Sequence, residues 1–301
     1  MDQVLITGSN GFIGRHLASA LESDYLVHGM DVCGHCEFKA SVTDKKRVEQ
    51  AFKKTSPKIV FHTAAVKDIS LSQGSPEAWE VNFTSTKNIA GLCARYNSKL
   101  VFISSDIVFN GKKGGYSEED PVSPVNDYGR AKAESEKAIN DSGARHLICR
   151  TAMVYGRFQN PLPRALEKEL LQPMASNQSF FVEHAVRRLS KGLEVQAFED
   201  VYSSPTHVLG LCEQVKSLVK KECSGVFHTA GPEKVSRYGF ALEAARAFGL
   251  DESLVSPVSC PENSLRPRDV SLNVSKLVRS TGFKPKTVKR ALAEMKKQMV
   301  L

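Results

Sequence analysis

Thr7-Gly8-Ser9-Asn10-Gly11-Phe12-Ile13-Gly14 follows the apolar run Val4-Leu5-Ile6 and opens a segment, 12–21, in which apolar residues recur at helical spacing. A strand, a glycine-rich turn and a helix in this order form the setting of a dinucleotide-binding loop. Gly8 permits the tight turn, Gly11 lets a pyrophosphate approach the backbone, and Gly14 lets helix and strand pack closely. The N–H groups at the helix start then face the phosphates. The stretch therefore predicts a binding loop made of Gly8, Ser9, Asn10, Gly11, Phe12, Ile13 and Gly14.

Two further strand ends are predicted to lie beside this loop. The strand over 25–30 is followed by Asp31, a carboxylate placed to accept a hydrogen bond from a ribose 2′-hydroxyl. The strand over 58–62 is followed by Thr63-Ala64-Ala65, small residues that let backbone lie against a cofactor. Ligands of open α/β sheets collect at the carboxyl ends of the strands, so these residues extend the predicted nucleotide site.

The rest of the first half alternates helices and strands. We predict helices from Asp44 to about Lys54, from Pro76 to about Tyr96 and from Asp127 to Ile139, with strands over 99–103 and 147–150. This alternation predicts right-handed βαβ units and a Rossmann-type, doubly wound parallel sheet over residues 1–155.

The regular alternation of strands and helices becomes less clear after about residue 155. Residues 160–177 mix prolines with polar residues and predict a loop with a short helix, and the following segments predict helices over 182–189, 206–219 and 237–248 with strands over 193–198 and 225–228. Residues 156–301 are therefore predicted to form mainly a smaller, mixed α/β substrate lobe, with later segments returning to the first domain.

Composition bounds the class of protein. The chain has 301 residues, a formal net charge of +8 and seven cysteines, an odd number that suits reduced thiols. The positive residues are scattered, and the densest cluster, over 284–297, is predicted to be a solvated helix face rather than a nucleic-acid surface. With no apolar run long enough for a membrane and no signal-peptide layout, we expect a cytoplasmic protein without membrane or nucleic-acid partners.

One cysteine pair needs its own interpretation. Cys33-Gly34-His35-Cys36 has the spacing of a redox dithiol or of half a zinc site. A redox dithiol of this kind belongs at a helix start, and a structural zinc site needs a second pair of ligands. Since neither is visible, we predict a loop after the second strand and no metal site.

Tyr128-Gly129-Arg130-Ala131-Lys132 carries the predicted chemistry. A phenol and an ammonium four residues apart share one helix face, and the cation is expected to lower the pKa of Tyr128. Ser105 ends the neighbouring strand and is placed to bind the same substrate oxygen. These groups suit hydride transfer at a carbonyl: Tyr128 exchanges the proton with oxygen, Ser105 orients that oxygen, and Lys132 holds the ribose.

With these motifs the chain resembles the extended short-chain dehydrogenase/reductases, and among them the dTDP-4-dehydrorhamnose reductases. The resemblance covers nearly the whole chain, and its first half is the more specific. It rests on the following stretches: Thr7–Gly14, Phe61–Ala65, Val81-Asn82, Ile103–Gly111, Tyr116–Asp120, Pro124–Lys132, Arg150-Thr151, Val154–Gly156, Pro205-Thr206, Arg266-Pro267 and Ser275–Leu277.

The resemblance implies roles for individual residues. Ser105, Tyr128 and Lys132 match the catalytic triad, with Ser where the family usually has Thr. The implied cofactor is NADP (or NAD), held by the loop over 8–14, Asp31, Val42, Ala64, Ala65, Asn82, Tyr128 and Lys132. Asp106, with Ser105, and Arg266, by charge-assisted hydrogen bonds to phosphates, are the implied substrate ligands. Ser41 departs from the family, which often has an Asp there beside the adenine; Val42 still offers backbone.

The predicted activity is NAD(P)H-dependent reduction of the 4-keto group of a nucleotide-activated deoxysugar, with Tyr128 as proton donor. Asp31 favours NAD whereas the family often uses NADPH, so the choice of dinucleotide stays open. The resemblance also implies a homodimer in which a metal can lie at the contact between subunits, although no local cluster of ligands in the sequence places a metal.

Two alternatives remain. The regulatory β subunit of methionine adenosyltransferase shares the same sequence blocks and binds a nicotinamide cofactor and a protein partner without an established reductase role. A nucleotide-sugar 4-epimerase needs no additional acid, so it also stays open. Sugar 4,6-dehydratases place Asp-Glu after the hydroxyl residue; here Ile107 follows Asp106, which disfavours dehydration.

Overall fold

The structure, a computed structural model, describes residues 1–157, 172–173 and 180–298. The strands in chain order are β1 (Gln3–Thr7), β2 (Leu26–Asp31), β3 (Phe38–Lys39), β4 (Ile59–His62), β5 (Lys99–Ser105), β6 (His146–Thr151), β7 (Val154–Tyr155), β8 (Val195–Phe198), β9 (Tyr202–Ser203), β10 (Thr206–His207), β11 (Gly225–His228), β12 (Val235–Ser236) and β13 (Val255–Val258).

The described helices follow the same order. They are α1 (Phe12–Leu21), α2 (Lys45–Thr55), α3 (Ile69–Ser72), α4 (Pro76–Trp79), α5 (Ser85–Arg95), α6 (Asp127–Asp141), α7 (Phe181–Leu189), α8 (Val208–Lys220), α9 (Arg237–Phe248), α10 (Ser275–Thr281) and α11 (Val288–Gln298).

Seven parallel strands form the central sheet in the order β3-β2-β1-β4-β5-β6-β11. The chain winds outward in one direction from β1 to β3 and then crosses to β4 on the other side of β1. The reversal leaves a crevice above the carboxyl ends of β1 and β4, where α/β sheets bind their ligands. The predicted Rossmann-type fold is confirmed.

Helices cover both faces of this sheet, so its strands are apolar on both sides. Helices α1 and α8 bury one face around Leu17 and Leu211, while α2 and α5 bury the other around Phe52 and Ile89. The layers fix the β1–α1 and β5–α6 turns at one edge of the sheet, where the site lies.

A second apolar core lies outside the sheet, between α7, α9 and α11 and the parallel pair β8–β13. Met153 and Tyr155, from the end of the first half, pack in this core, whereas β11 returns to the central sheet. The boundary at 155/156 therefore stays a prediction, since chain segments on either side of it contribute to both cores.

The predicted long helix from Pro76 to Tyr96 is wrong in one respect: α4 and α5 are joined by a π-helical turn over Glu80–Thr84. Within it the Asn82 carbonyl accepts 2.9 Å hydrogen bonds from the Thr86 and Ser135 hydroxyls. These side-chain donors compete for a carbonyl that the helix ladder would otherwise use, and residue periodicity does not show them.

Most of the loop predicted over 160–177 falls outside the described residues. The cysteine pair lies, as predicted, in a loop, between β2 and β3, with both thiols free. Across 1–157, 172–173 and 180–298, no three His, Cys, Asp or Glu side chains are grouped to hold a metal ion. In those same ranges no helix combines the length and apolar character needed to cross a membrane.

Candidate active site

A cavity of about 480 Å³ runs along the carboxyl ends of the sheet strands. It begins at the loop after β2, passes the β1–α1 turn and the end of β4, and reaches the ends of β5 and β6. The predicted site residues that line it are Gly8, Asn10, Gly11, Phe12, Ile13, Gly14, Asp31, Val42, Ala64, Ala65, Ser105, Asp106, Tyr128, Lys132 and Arg266. One continuous space therefore joins the glycine loop to the Ser, Tyr and Lys side chains.

The glycine loop is shaped as a cradle that side chains would fill. Gly8 has φ +72°, and a Cβ there would lie 2.7 Å from the Ala64 nitrogen. A Cβ on Gly14 would lie 2.9 Å from the Ser9 Cα and still closer to the Gly8 carbonyl. Gly11 precedes α1 with no side-chain cap, so the first N–H groups of the helix face the cavity end of the loop. This arrangement fits a pyrophosphate.

Ser9 does not line the cavity. Its side chain is buried behind the loop against Gly29, where a Cβ would lie 2.8 Å from the Ser9 Oγ. Within this strand–turn–helix unit Ser9 therefore fills space between β1 and β2 rather than facing the cavity.

The Asp31 carboxylate lies at the loop's outer end. Its Oδ2 accepts a 2.9 Å hydrogen bond from the Asn10 N–H, while the Asn10 side chain donates to the Cys33 carbonyl at 2.7 Å. Arg15 donates from Nη2 to the Asn10 carbonyl at 2.6 Å. Together with Ser41 and Val42, which also line the cavity, these residues form the end suited to an adenosine.

Asn82 lies beneath the site and not in it. It is 1 % exposed, and its side chain makes two hydrogen bonds with the Val66 backbone, at 2.8 and 2.9 Å. This clamp fixes the segment after β4, whose Ala64, Ala65 and Val66 line the cavity. The amide thus positions the backbone beside the predicted cofactor site.

The Tyr-Gly-x-x-Lys motif opens α6, where the Asn126 side chain caps the helix by accepting from the Gly129 N–H at 2.8 Å. A Cβ on Gly129 would lie 2.8 Å from the Pro124 Cβ and closer still to the Ile107 carbonyl. Glycine here lets the first turn of α6 approach the turn after Ser105. That approach brings Tyr128 to the end of β5, beside Ser105.

Lys132 lies one helical turn further on and is 3 % exposed. Its Nζ donates a 2.9 Å hydrogen bond to the Ile103 carbonyl and lies 4.4 Å above the Phe102 ring. Burial lowers the pKa of Lys132 to about 7, although the Glu136 carboxylate opposes the shift. The ammonium is held at the cavity wall by β5.

The expected fall in the Tyr128 pKa is wrong for the structure described. Burial raises the pKa of Tyr128, the Asp106 charge raises it further, and the interaction with Ser105 lowers it. Because desolvation exceeds any effect of the nearby lysine, the phenol stays protonated at neutral pH. A protonated phenol suits a proton donor.

Asp106 is buried and shared between two hydroxyls. Ser105 Oγ donates to one carboxylate oxygen at 2.9 Å, and Ser203 Oγ donates to the other at 3.1 Å. Burial raises the pKa of Asp106 to about 6, opposed by these hydroxyls and by the Arg237 charge. No sequence motif pointed to Ser203, which lies 97 residues from Asp106 along the chain.

Arg266 and Lys67 supply positive charge to the same cavity, next to Asp68. Burial lowers the pKa of Arg266 and the Asp68 carboxylate opposes this. Lys67 lies 5.4 Å from the centre of the Phe180 ring. Arg266 was predicted from the sequence, whereas Lys67 in a mixed loop carried no motif.

A buried ion pair supports the catalytic edge from behind. Arg150 donates to Glu136 at 2.7 Å, and the Ser104 hydroxyl donates to the same carboxylate. The pair links β5, β6 and α6 below Ser105 and Lys132. Such a pair is costly to break on one side only, since the other charge stays buried.

Comparison with known proteins agrees with this geometry. The family described as RmlD substrate binding domain matches residues 1–301. The chain belongs to that family.

Relatives of this RmlD-family chain carry two kinds of name. The chain is 28% identical to methionine adenosyltransferase 2 subunit beta of Rattus norvegicus over 291 residues, 91% of this chain and 81% of that protein. It is 28% identical to dTDP-4-keto-6-deoxy-D-glucose reductase of Streptomyces niveus over 278 residues, covering 89% and 87%. The predicted resemblance to both groups is confirmed, and the reductases among them are oxidoreductases of the predicted extended short-chain type.

A solved structure shares the whole fold. The dTDP-4-dehydrorhamnose reductase of Bacillus anthracis, crystallised in complex with NADP, superposes with a TM-score of 0.85 at 24% identity and 99% coverage of both chains. The RmlD-family fold is therefore shared from end to end.

Proposed function

We propose that this protein reduces the 4-keto group of a nucleotide-activated deoxysugar with NADPH or NADH. The observation that carries the proposal is the single cavity that connects the glycine cradle to Ser105, Tyr128 and Lys132 and then to Arg266. A dinucleotide whose phosphates lie in the glycine cradle places its nicotinamide ring beside Ser105, Tyr128 and Lys132. There a hydroxyl, a phenol and an ammonium surround the reacting carbonyl.

When bound, the nicotinamide ring supplies the hydride. Tyr128 donates the proton to the carbonyl oxygen, which its raised pKa suits, since the phenol is protonated before reaction. The Ser105 hydroxyl donates to Asp106 in the protein alone, and it turns its proton to the same carbonyl oxygen when the substrate is bound. Lys132 binds the ribose hydroxyls and stabilises the tyrosinate that remains after proton transfer, because its positive charge lies 5.9 Å from the ring centre.

Positive charge around the remaining cavity supports a nucleoside diphosphate as the part of the substrate that is bound there and stays attached to the sugar during the reduction. Arg266 and Lys67 line this part, and a guanidinium binds phosphate oxygens by paired, charge-assisted hydrogen bonds. The dTDP-4-keto-6-deoxy-D-glucose reductase of Streptomyces niveus, a relative of this chain, supports the same substrate class. A homodimer in the cytoplasm completes the proposal, as the family resemblance implies.

The choice of dinucleotide rests on two opposed observations. The Asp31 carboxylate at the end of β2 suits the free 2′-hydroxyl of NAD, whereas the Bacillus anthracis relative was crystallised with NADP. We therefore assign NADP, with NAD as the alternative, and test both in one assay.

The deciding experiment measures NADPH and NADH consumption with freshly prepared dTDP-4-keto-6-deoxy-L-mannose, for the wild type and Tyr128→Phe. Tyr-dependent consumption with a reduced sugar product supports the proposal and identifies the dinucleotide. Conversion of a nucleotide sugar to its 4-epimer without net consumption would replace it by the epimerase alternative.

A second candidate is a dinucleotide-binding regulatory subunit. The observation in its favour is the 28% identity to methionine adenosyltransferase 2 subunit beta over 91% of the chain. Tight dinucleotide binding without turnover of any 4-keto sugar nucleotide would favour this candidate. Its direct test is co-purification with a methionine adenosyltransferase catalytic subunit.

A further inference from the structure

One polar atom of the cavity wall, the Thr151 Oγ1, differs from the others because it has no hydrogen-bond partner. Thr151 ends β6, lines the cavity and is 6 % exposed, and its Oγ1 has no hydrogen-bond partner. Among the cavity-lining residues that the structure describes, no other buried side-chain nitrogen or oxygen lacks a partner. A buried hydroxyl left unpaired costs about 1–3 kcal/mol, so its retention calls for a reason.

Its position gives the reason. Thr151 is the register partner of Ser105 on the adjacent strand, and paired residues of neighbouring parallel strands lie about 4.8 Å apart with side chains on the same face. The unpaired hydroxyl therefore stands next to the Ser105 hydroxyl at the catalytic end. It lies beyond Ser105 on the side away from the glycine loop.

The direction of the cavity selects the ligand. The adenosine end lies at β2 and the phosphate cradle at β1, so a bound dinucleotide runs over β4 toward β5 and β6. Beside Ser105 and Thr151, the lining at this end includes the apolar side chains of Ile103, Met153 and Val154, which suit the face of an aromatic ring. The nicotinamide ring carries one hydrogen-bonding substituent, its carboxamide.

We propose that the Thr151 hydroxyl binds the carboxamide of the nicotinamide ring and so fixes which face of the ring is turned to the substrate. The inference rests on the proposed function, because it assigns a contact to the same cofactor. Thr151 is a cofactor-positioning residue in this scheme and takes no part in proton transfer.

The test compares the wild type with Thr151→Val, which keeps the shape and removes the hydroxyl, and Thr151→Ser, which keeps the hydroxyl. Calorimetry measures the dissociation constants of the dinucleotide that the wild type binds and of the matching ADP-ribose, which lacks only the nicotinamide. We expect Thr151→Val to weaken the dinucleotide about three- to tenfold, the effect of one neutral hydrogen bond, with ADP-ribose unchanged. Thr151→Ser should bind both like the wild type.

Stability separates this role from a structural one. Removing an unpaired buried hydroxyl should leave the melting temperature of the ligand-free Thr151→Val protein unchanged or higher. A fall in melting temperature, or equal weakening of dinucleotide and ADP-ribose, would show a structural role and overturn the inference.

Two other results would also overturn it. Unchanged dinucleotide affinity in Thr151→Val, with a raised KM for the keto sugar, would assign the hydroxyl to the substrate and leave the proposed function intact. A wild type that binds neither dinucleotide nor ADP-ribose would remove the proposed function itself, and the inference with it.

Discussion

The Lys132 Nζ lies 5.9 Å from the centre of the Tyr128 ring and gives its 2.9 Å hydrogen bond to the Ile103 carbonyl. The lysine is therefore close enough to stabilise a tyrosinate but does not contact the phenol hydroxyl in the protein alone. Desolvation dominates, and Tyr128 keeps its proton until a carbonyl oxygen accepts it.

Replacing Tyr128 by Phe removes this proton and little else. We expect kcat for keto-sugar reduction to fall by at least about 100-fold, the usual contribution of a positioned general acid. The dissociation constant of the dinucleotide should rise by no more than a fewfold, because one implied hydroxyl contact from Tyr128 is lost while the loop over 8–14 is untouched. Steady-state kinetics and calorimetry give the two numbers. Tyr96→Phe, outside the cavity, is the control, and activity within a fewfold of wild type in Tyr128→Phe would show that another group donates the proton.

Asp106 should make stability depend on pH. Its folded-state pKa of about 6 lies above the ordinary value of 3.8, so the folded state binds more protons than the unfolded state between these values. The free energy of unfolding should then fall as pH rises from about 4 to about 6, by on the order of 3 kcal/mol, and level off above.

The measurement is urea unfolding of wild type and Asp106→Asn at a series of pH values. Asparagine cannot titrate, so the difference in unfolding free energy should favour the variant increasingly as pH rises through this window. Asp141→Asn, on the exposed end of α6, serves as control. Parallel curves for wild type and Asp106→Asn would show that burial does not shift this carboxyl.

The fold, and the presence of Ser105, Tyr128 and Lys132 in one cavity, could be predicted because their signals are local. The glycine loop, Asp31 and the Tyr128–Lys132 spacing each lie within one turn or one strand end, and the cavity joins them. Its motif predicts that Asn82 contacts the cofactor, but in the structure its amide makes hydrogen bonds with the Val66 backbone. That contact joins residues 16 positions apart, and no periodicity reveals it.

The electrostatics could not be predicted, since a pKa depends on burial. The sequence shows a cation near Tyr128. It does not show that β5, α6 and β9, which contains Ser203, bury the side chains of Tyr128, Lys132 and Asp106. Desolvation of that kind comes from contacts between residues far apart in the chain.

Asp31 should decide between the two dinucleotides. Its carboxylate can accept a hydrogen bond from a 2′-hydroxyl and repels a 2′-phosphate, so Asp31→Ala should weaken NADH by about tenfold or more and leave NADPH unchanged or tighter. Fluorescence titration with each dinucleotide measures the ratio of affinities. Asp24→Ala, at a surface ion pair with Lys216, is the control. An unchanged ratio would mean that Asp31 serves only to hold the Asn10 N–H.

Gly8 should tolerate no side chain. Its φ of +72° disfavours any L-residue by about 1–2 kcal/mol, and an alanine Cβ would meet the Ala64 nitrogen at 2.7 Å, inside the cradle. Gly8→Ala should therefore lower the free energy of unfolding and weaken dinucleotide binding beyond detection at ordinary titration concentrations.

Gly91→Ala is the matched control: Gly91 lies in α5, where a Cβ meets nothing within 4 Å. Alanine there should stabilise the protein by up to about 1 kcal/mol and leave binding unchanged. If Gly8→Ala bound the dinucleotide as Gly91→Ala does, the phosphates would not lie on this loop, and the assignment of the cavity's first half would have to be abandoned.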